Sequence, residues 1–137
     1  MSDPPQRPLP LLTPENEYFW TAGAEGELRF KRCRDCSHWI HPPAPHCSDC
    51  LGKNLAIEAV SGRGHVSGFT INHQPWLAAF PPPYVIAIVE LEGAPGVRLT
   101  SNIVGCAPEA VRIGLPVRVV FEPVEDVWLP LFEPLES

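Results

Sequence analysis

Residues 33–50 read CRDCSHWIHPPAPHCSDC, two Cys-x-x-Cys pairs with ten residues between them. A zinc ion takes four thiolates at the corners of a tetrahedron, and a tight turn carrying Cys-x-x-Cys supplies two of those corners. One such pair also occurs in redox and haem-attachment sites, but two pairs in so short a window point to a single metal. The spacing therefore predicts a rubredoxin-like zinc ribbon with Cys33, Cys36, Cys47 and Cys50 as ligands and a hairpin joining the pairs. His38, His41 and His46 share the window. Four thiolates already complete the shell, so the histidines are expected on the surface or behind the ligands rather than on the metal. The Pro42-Pro43-Ala44-Pro45 turn restricts the loop even before metal arrives.

Upstream of the first pair, Leu28 and Phe30 alternate with Arg29 and Lys31, the period of a strand that runs straight into Cys33. Arg29, Lys31, Arg32 and Arg34 are four of the ten basic residues of the chain. Such a cluster is either a solvated strand edge or a seat for a phosphorylated ligand or acidic partner. Further upstream, Thr13-Pro14-Glu15 has the chemistry of a helix start, with Gly23 as a stop. A helix of about ten residues is too short to stand alone and must be held by packing. Its consecutive aromatics Tyr18, Phe19 and Trp20 dock either on the chain's own body or on a partner subunit. Residues 1–12 contain four prolines and read as an extended arm.

Downstream of Cys50 the chain offers a succession of short strands. Residues 55–60 and 64–72 flank Ser61-Gly62-Arg63, where glycines permit a bulge or bend in one long curved strand. Tyr84 to Leu91, YVIAIVEL, is the most apolar run and is expected as a central strand covered on both faces. Residues 97–103, 117–121 and 127–131 complete the set, with one helical turn at 108–113. About five strands fit an OB-fold barrel better than a sandwich of roughly seven. The chain is thus expected to be mainly β: an N-terminal arm and short helix in 1–25, the ribbon in 26–54, and a five-stranded OB-fold barrel with its tail in 55–137.

Composition agrees with many short elements: 137 residues, 45% apolar and 19% charged, include eighteen prolines and ten glycines. The formal charge of −6, made more negative by four thiolates on one Zn²⁺, disfavours single-stranded nucleic acid, the other use of ribbons and OB barrels. No apolar run approaches the ~20 residues that span a bilayer and no secretory leader pattern is present, so a cytoplasmic, membrane-free protein with reduced cysteines is expected. Cys106, near Ile103 and Val104, reads as an inert core thiol.

In order, ENEYFW, GELRFKRC, CxxC-x10-CxxC, PPPYVIAIVEL and VRIGLPVRVVFE resemble the zinc-ribbon/OB-fold family known as domain of unknown function 35, over about residues 13–133. The resemblance implies a subunit that accompanies thiolase-like enzymes or acyl-CoA hydratases, in a heteromer of two plus two chains with a coenzyme A thioester as ligand of the complex. Thr70 to Leu91, with its NHQPW, is most similar to forms paired with thiolase-fold aldolases that shorten steroid side chains by retro-aldol cleavage. The residues agree with a non-catalytic role, because a saturated metal cannot activate water and no nucleophile–base pair stands out. Base and enolate stabilisation are expected from the larger subunit. This chain would complete the pocket with Phe69, His73, Trp76, Phe80 and Tyr84, and His73 is the candidate acid or base if any residue here takes part.

Overall fold

The computed structural model describes residues 9–74 and 81–135. Thr13 opens the first helix by a reciprocal exchange: its N–H donates to Asn16 Oδ1 at 2.8 Å, and the Asn16 N–H donates to Thr13 Oγ1 at 3.3 Å. This is the capping-box arrangement with Asn in the acidic position. After a turn, the α-helix α1 spans only Glu17–Thr21 and tightens into a 3₁₀ turn over Ala22–Glu25. The stop is Gly26, in the left-handed region at φ 71°, and not Gly23. Gly23 has another task. A Cβ there would stand 2.3 Å from Trp128 Cβ, so the bare backbone is what lets this turn lie against the last strand.

Strand β1, Leu28–Cys33, pairs on one side with β2, Trp39–Ile40, and on the other with β3, Leu55–Val60. β3 differs from expectation. It does not open the barrel but runs antiparallel to β1 over its whole length, Leu28 opposite Val60 and Cys33 opposite Leu55. Gly62, at φ 79°, then turns the chain out of this sheet. Strands β4 (Arg63–Asn72), β5 (Tyr84–Leu91), β6 (Arg98–Ile103), β7 (Pro116–Val124) and β8 (Val127–Pro134) close a barrel in the order β4-β5-β6-β8-β7. A bulge between Val66 and Gly68 bends β4, three residues beyond the glycine pair expected to bend it. The expected helical turn at 108–113 is a single 3₁₀ turn, Pro108–Ala110.

The five-stranded OB-fold barrel is therefore as read from the sequence. Its core holds Val66, Val85, Val89, Val117 and Phe132, all 1% exposed or less. Phe19 of α1 and Leu28 and Phe30 of β1 belong to the same apolar cluster, so the helix and the ribbon's sheet are sealed onto the barrel. Cys106 packs partly buried against this cluster. No helix among the described residues is long and apolar enough to cross a membrane.

Candidate functional site

The two cysteine turns are near copies of each other. Cys33 N–H donates to His38 O at 2.8 Å and Cys47 N–H to Gly52 O at 2.8 Å; Ser37 N–H returns to Cys33 O at 2.9 Å and Leu51 N–H to Cys47 O at 3.0 Å. Ser37 and Leu51, one residue past each second cysteine, both take left-handed φ, 68° and 64°. This shared geometry folds each pair of sulfurs inward. The four Sγ atoms lie within 4.8 Å of one another, with Cys33–Cys50 and Cys36–Cys47 each 3.6 Å apart. Tetrahedral thiolates at ~2.3 Å from Zn²⁺ would sit roughly 3.8 Å apart, so the set fits the ion with little adjustment. Two backbone N–H groups, of Cys50 and Asp49, point at Cys47 Sγ and draw its pKa down to about 7, whereas burial and hydrogen bonds to the other thiols shift Cys36 and Cys50 upward. Four sulfurs leave no open position, so Zn²⁺ here would hold structure and supply no activated water.

The histidines divide. His38 is exposed and its Nε2 lies 3.3 Å from Ser48 Oγ. His41 is half-buried: its ring packs 5.0 Å from both Phe19 and Phe30, wedged between α1 and β1. Burial lowers its pKa to about 4, and its Nδ1 is enclosed without a hydrogen-bond partner among the described residues. The exposed His38 is as expected, whereas the packing of His41 against Phe19 and Phe30 could not be read from ligand spacing.

The basic cluster is largely neutralised from within. Arg29 pairs with Glu25 and Glu27, Lys31 with Glu15, and Arg32 with Glu58 at 3.7 Å while its guanidinium lies over the Trp39 ring at 4.9 Å. Of the four, only Arg34 has no ion pair among the described residues; the strand carrying the other three is the middle one of its sheet, so the expected solvated strand edge is instead a set of charges paired within the chain. Of the expected ligand residues, Phe69 sits on β4 opposite Ala87, on the ladder's inward side, yet is 38% exposed. Tyr84 sits opposite Asn72, on the outward side. The two aromatics thus fall on opposite faces, and His73 follows the end of β4 in an exposed position. Trp76 and Phe80 lie outside the described residues.

A groove of about 520 Å³ opens elsewhere, where three segments distant in sequence meet. Phe19 and Trp20 come from α1, His41 and Pro42 from the loop between the cysteine pairs, and Leu99, Leu129 and Leu131 from the barrel. No local signal in the sequence announces it, because no two of its walls are neighbours in the chain.

Fold and site together define a small zinc-ribbon/OB-barrel protein whose metal is a structural clamp and whose apolar groove lies beside that clamp. Residues 20–56 match the family described as ChsH2, rubredoxin-like zinc ribbon domain, and residues 58–122 the family described as ChsH2, C-terminal OB-fold domain. The chain belongs to this zinc-ribbon/OB-fold (DUF35) family. It is similar to the probable enoyl-CoA hydratase alpha subunit of Thermomonospora curvata, 36% identical over 129 residues, 93% of this chain and 40% of that protein. It is also similar to the 3-oxo-4,17-pregnadiene-20-carboxyl-CoA hydratase alpha subunit of Mycobacterium tuberculosis, 35% identical over 134 residues, 98% of this chain and 42% of that protein. The chain thus spans about two fifths of the length of these relatives. Among solved structures, a chain of the Ltp2-ChsH2(DUF35) aldolase superposes with a TM-score of 0.82 at 34% identity, covering 92% of this chain and 98% of that one.

Proposed function

We propose that this chain is a non-catalytic subunit that binds a thiolase-fold aldolase or thiolase and completes its active site for an acyl-CoA thioester, in retro-aldol cleavage of the kind that shortens steroid side chains. The observation that carries the proposal is the closed four-sulfur centre on a chain that superposes over nearly its whole length on a chain of an aldolase. The Ser48–His38 contact is exposed, and no carboxylate orients that imidazole. Two relatives named as alpha subunits of acyl-CoA hydratases support a heteromer and a thioester substrate. In the complex, the larger subunit would take the hydroxyl proton and stabilise the thioester enolate, while this chain supplies apolar walls that exclude water.

The test is co-expression with a thiolase-fold acyl-CoA enzyme. A single co-purifying heteromer, active on a β-hydroxyacyl-CoA only when both chains are present, is the expected result. Full cleavage activity from this chain alone, or no association with the partner, would refute the proposal.

A further inference from the structure

Strand β5 is apolar along its length, yet the barrel uses only half of it. Val85, Ala87, Val89 and Leu91 are buried in the core, while Ile86 and Ile88 point outward, 37% and 42% exposed. Expected cover on the second face is therefore missing among the described residues. The register shows how far the bare face extends: Gly68 and Thr70 of β4 stand opposite Ile88 and Ile86 on one flank, and Thr100 and Asn102 of β6 on the other. No carboxylate or cation interrupts this patch until Glu90, which His65 and Arg98 close at 2.9 and 3.1 Å. Gly68 keeps the centre low, since nothing lies within 4 Å of where its Cβ would be. A shallow hollow of about 250 Å³ beside Tyr84 and Ile86 continues across Thr100 to Asn102, residues that also line the apolar groove.

We infer that this outer face of β4-β5-β6, continued into the groove, is the seat of the larger acyl-CoA-processing subunit, which lays a neutral apolar surface across Ile86 and Ile88. The inference rests on the subunit reading above and adds where the partner sits. An uncharged centre with a polar margin is the composition of a protein interface, and exposed apolar area of this kind on a continuous apolar strand is otherwise a liability. Charge selects the occupant. A polyphosphate chain finds no cation on the patch. A second copy would bring one chain of formal charge −6 against another, opposing like charges around the neutral centre, whereas a partner with a neutral or basic rim meets no such penalty.

The experiment compares wild type, Gly68→Arg and the double variant Ile86→Glu/Ile88→Glu as full chains co-expressed with the thiolase-fold partner. Gly68→Arg fills open space and leaves the barrel interior untouched, so its zinc content and melting should match wild type. Both variants are expected to weaken capture by about tenfold or more, the loss typical of central interface positions. Ile113→Glu, exposed at 62% outside the patch, should bind as wild type does. Folded variants that bind like wild type would overturn the inference while leaving the subunit reading intact; failure of wild type itself to bind would remove both. A wild-type homodimer in light scattering that Gly68→Arg dissociates would overturn it in favour of a second copy.

Discussion

The ribbon and the barrel are held by different physics, although one strand serves both. Buried residues of the ribbon's own cluster are Cys33, Ile40 and Cys47, with Ala44 and Leu55 packed against them. That is too little apolar area to fold on, so the metal must supply the difference, as it does for small domains that lack a core. The barrel instead encloses a row of valines with Phe132. β1 belongs to both: Leu28 and Phe30 enter the barrel's cluster, whereas Cys33 at its end enters the ribbon's. The difference teaches that metal and apolar burial are separable here to within a few residues of one strand.

Removing a ligand should separate them most sharply. Cys47→Ser removes one of the four ligands of a site type whose whole apparent binding free energy is about 10–16 kcal/mol. Zinc content should fall to near zero and amide protection vanish over residues 33–54, while the barrel keeps its strand signal in circular dichroism. Retained zinc or retained protection would break the contrast. The reverse cut is Phe132→Ala, expected to cost about 3–5 kcal/mol. It should lower the melting temperature of the barrel yet leave one zinc per chain below the transition. Gly23→Ala probes the seam. Its methyl would collide with Trp128 and cost about 1–3 kcal/mol, read as a lower urea midpoint with unchanged metal content.

His41 sharpens the contrast through pH. Its folded pKa of about 4 lies below the ordinary 6.5, so the unfolded chain binds the proton more readily. Its contribution is fully present above 6.5 and is lost as pH falls toward 4. His41→Phe should therefore flatten the fall in melting temperature over that range, compared with wild type at matched zinc occupancy. Identical slopes would show that the wedge does not titrate. The smallest effect is a gain. Leu51, 69% exposed and held at φ 64°, should relax on Leu51→Gly and stabilise the second cysteine turn by about 1 kcal/mol, seen as slower zinc release to a chelator.

Much of this was legible in the residues. Cysteine spacing named all four sulfurs that the structure gathers, because a metal site imposes its distances on the chain directly. Period-two alternation marked the strands at 97–103 and 117–121, each with one face in the core, and a continuous apolar run marked the one at 84–91. What escaped were relations between segments. Residues 55–60 read as a strand, but the sequence does not name its partner, and β1 rather than the barrel takes it. YVIAIVEL reads as covered on both faces because the sequence cannot distinguish a buried isoleucine from one left bare. The aromatics Phe69 and Tyr84 looked like one cluster, yet strand register puts them on opposite faces. Gly23 and His41 were judged by their neighbours in the chain, while their tasks are set by Trp128 and Phe19, residues brought there only by folding.

The loop between the cysteine pairs has a consequence of its own. His41 and Pro42 form one wall of the groove, and both ends of their loop are pinned by the metal ligands Cys36 and Cys47. Residues added or removed after β2, between Pro42 and Cys47, would reshape that wall while leaving the pairing of β2 with β1 and the strands of the barrel in place. The zinc turns thus act as a fixed frame in which the loop is an exchangeable insert, and the groove's contour can be redrawn, by natural drift or by grafting, at constant fold.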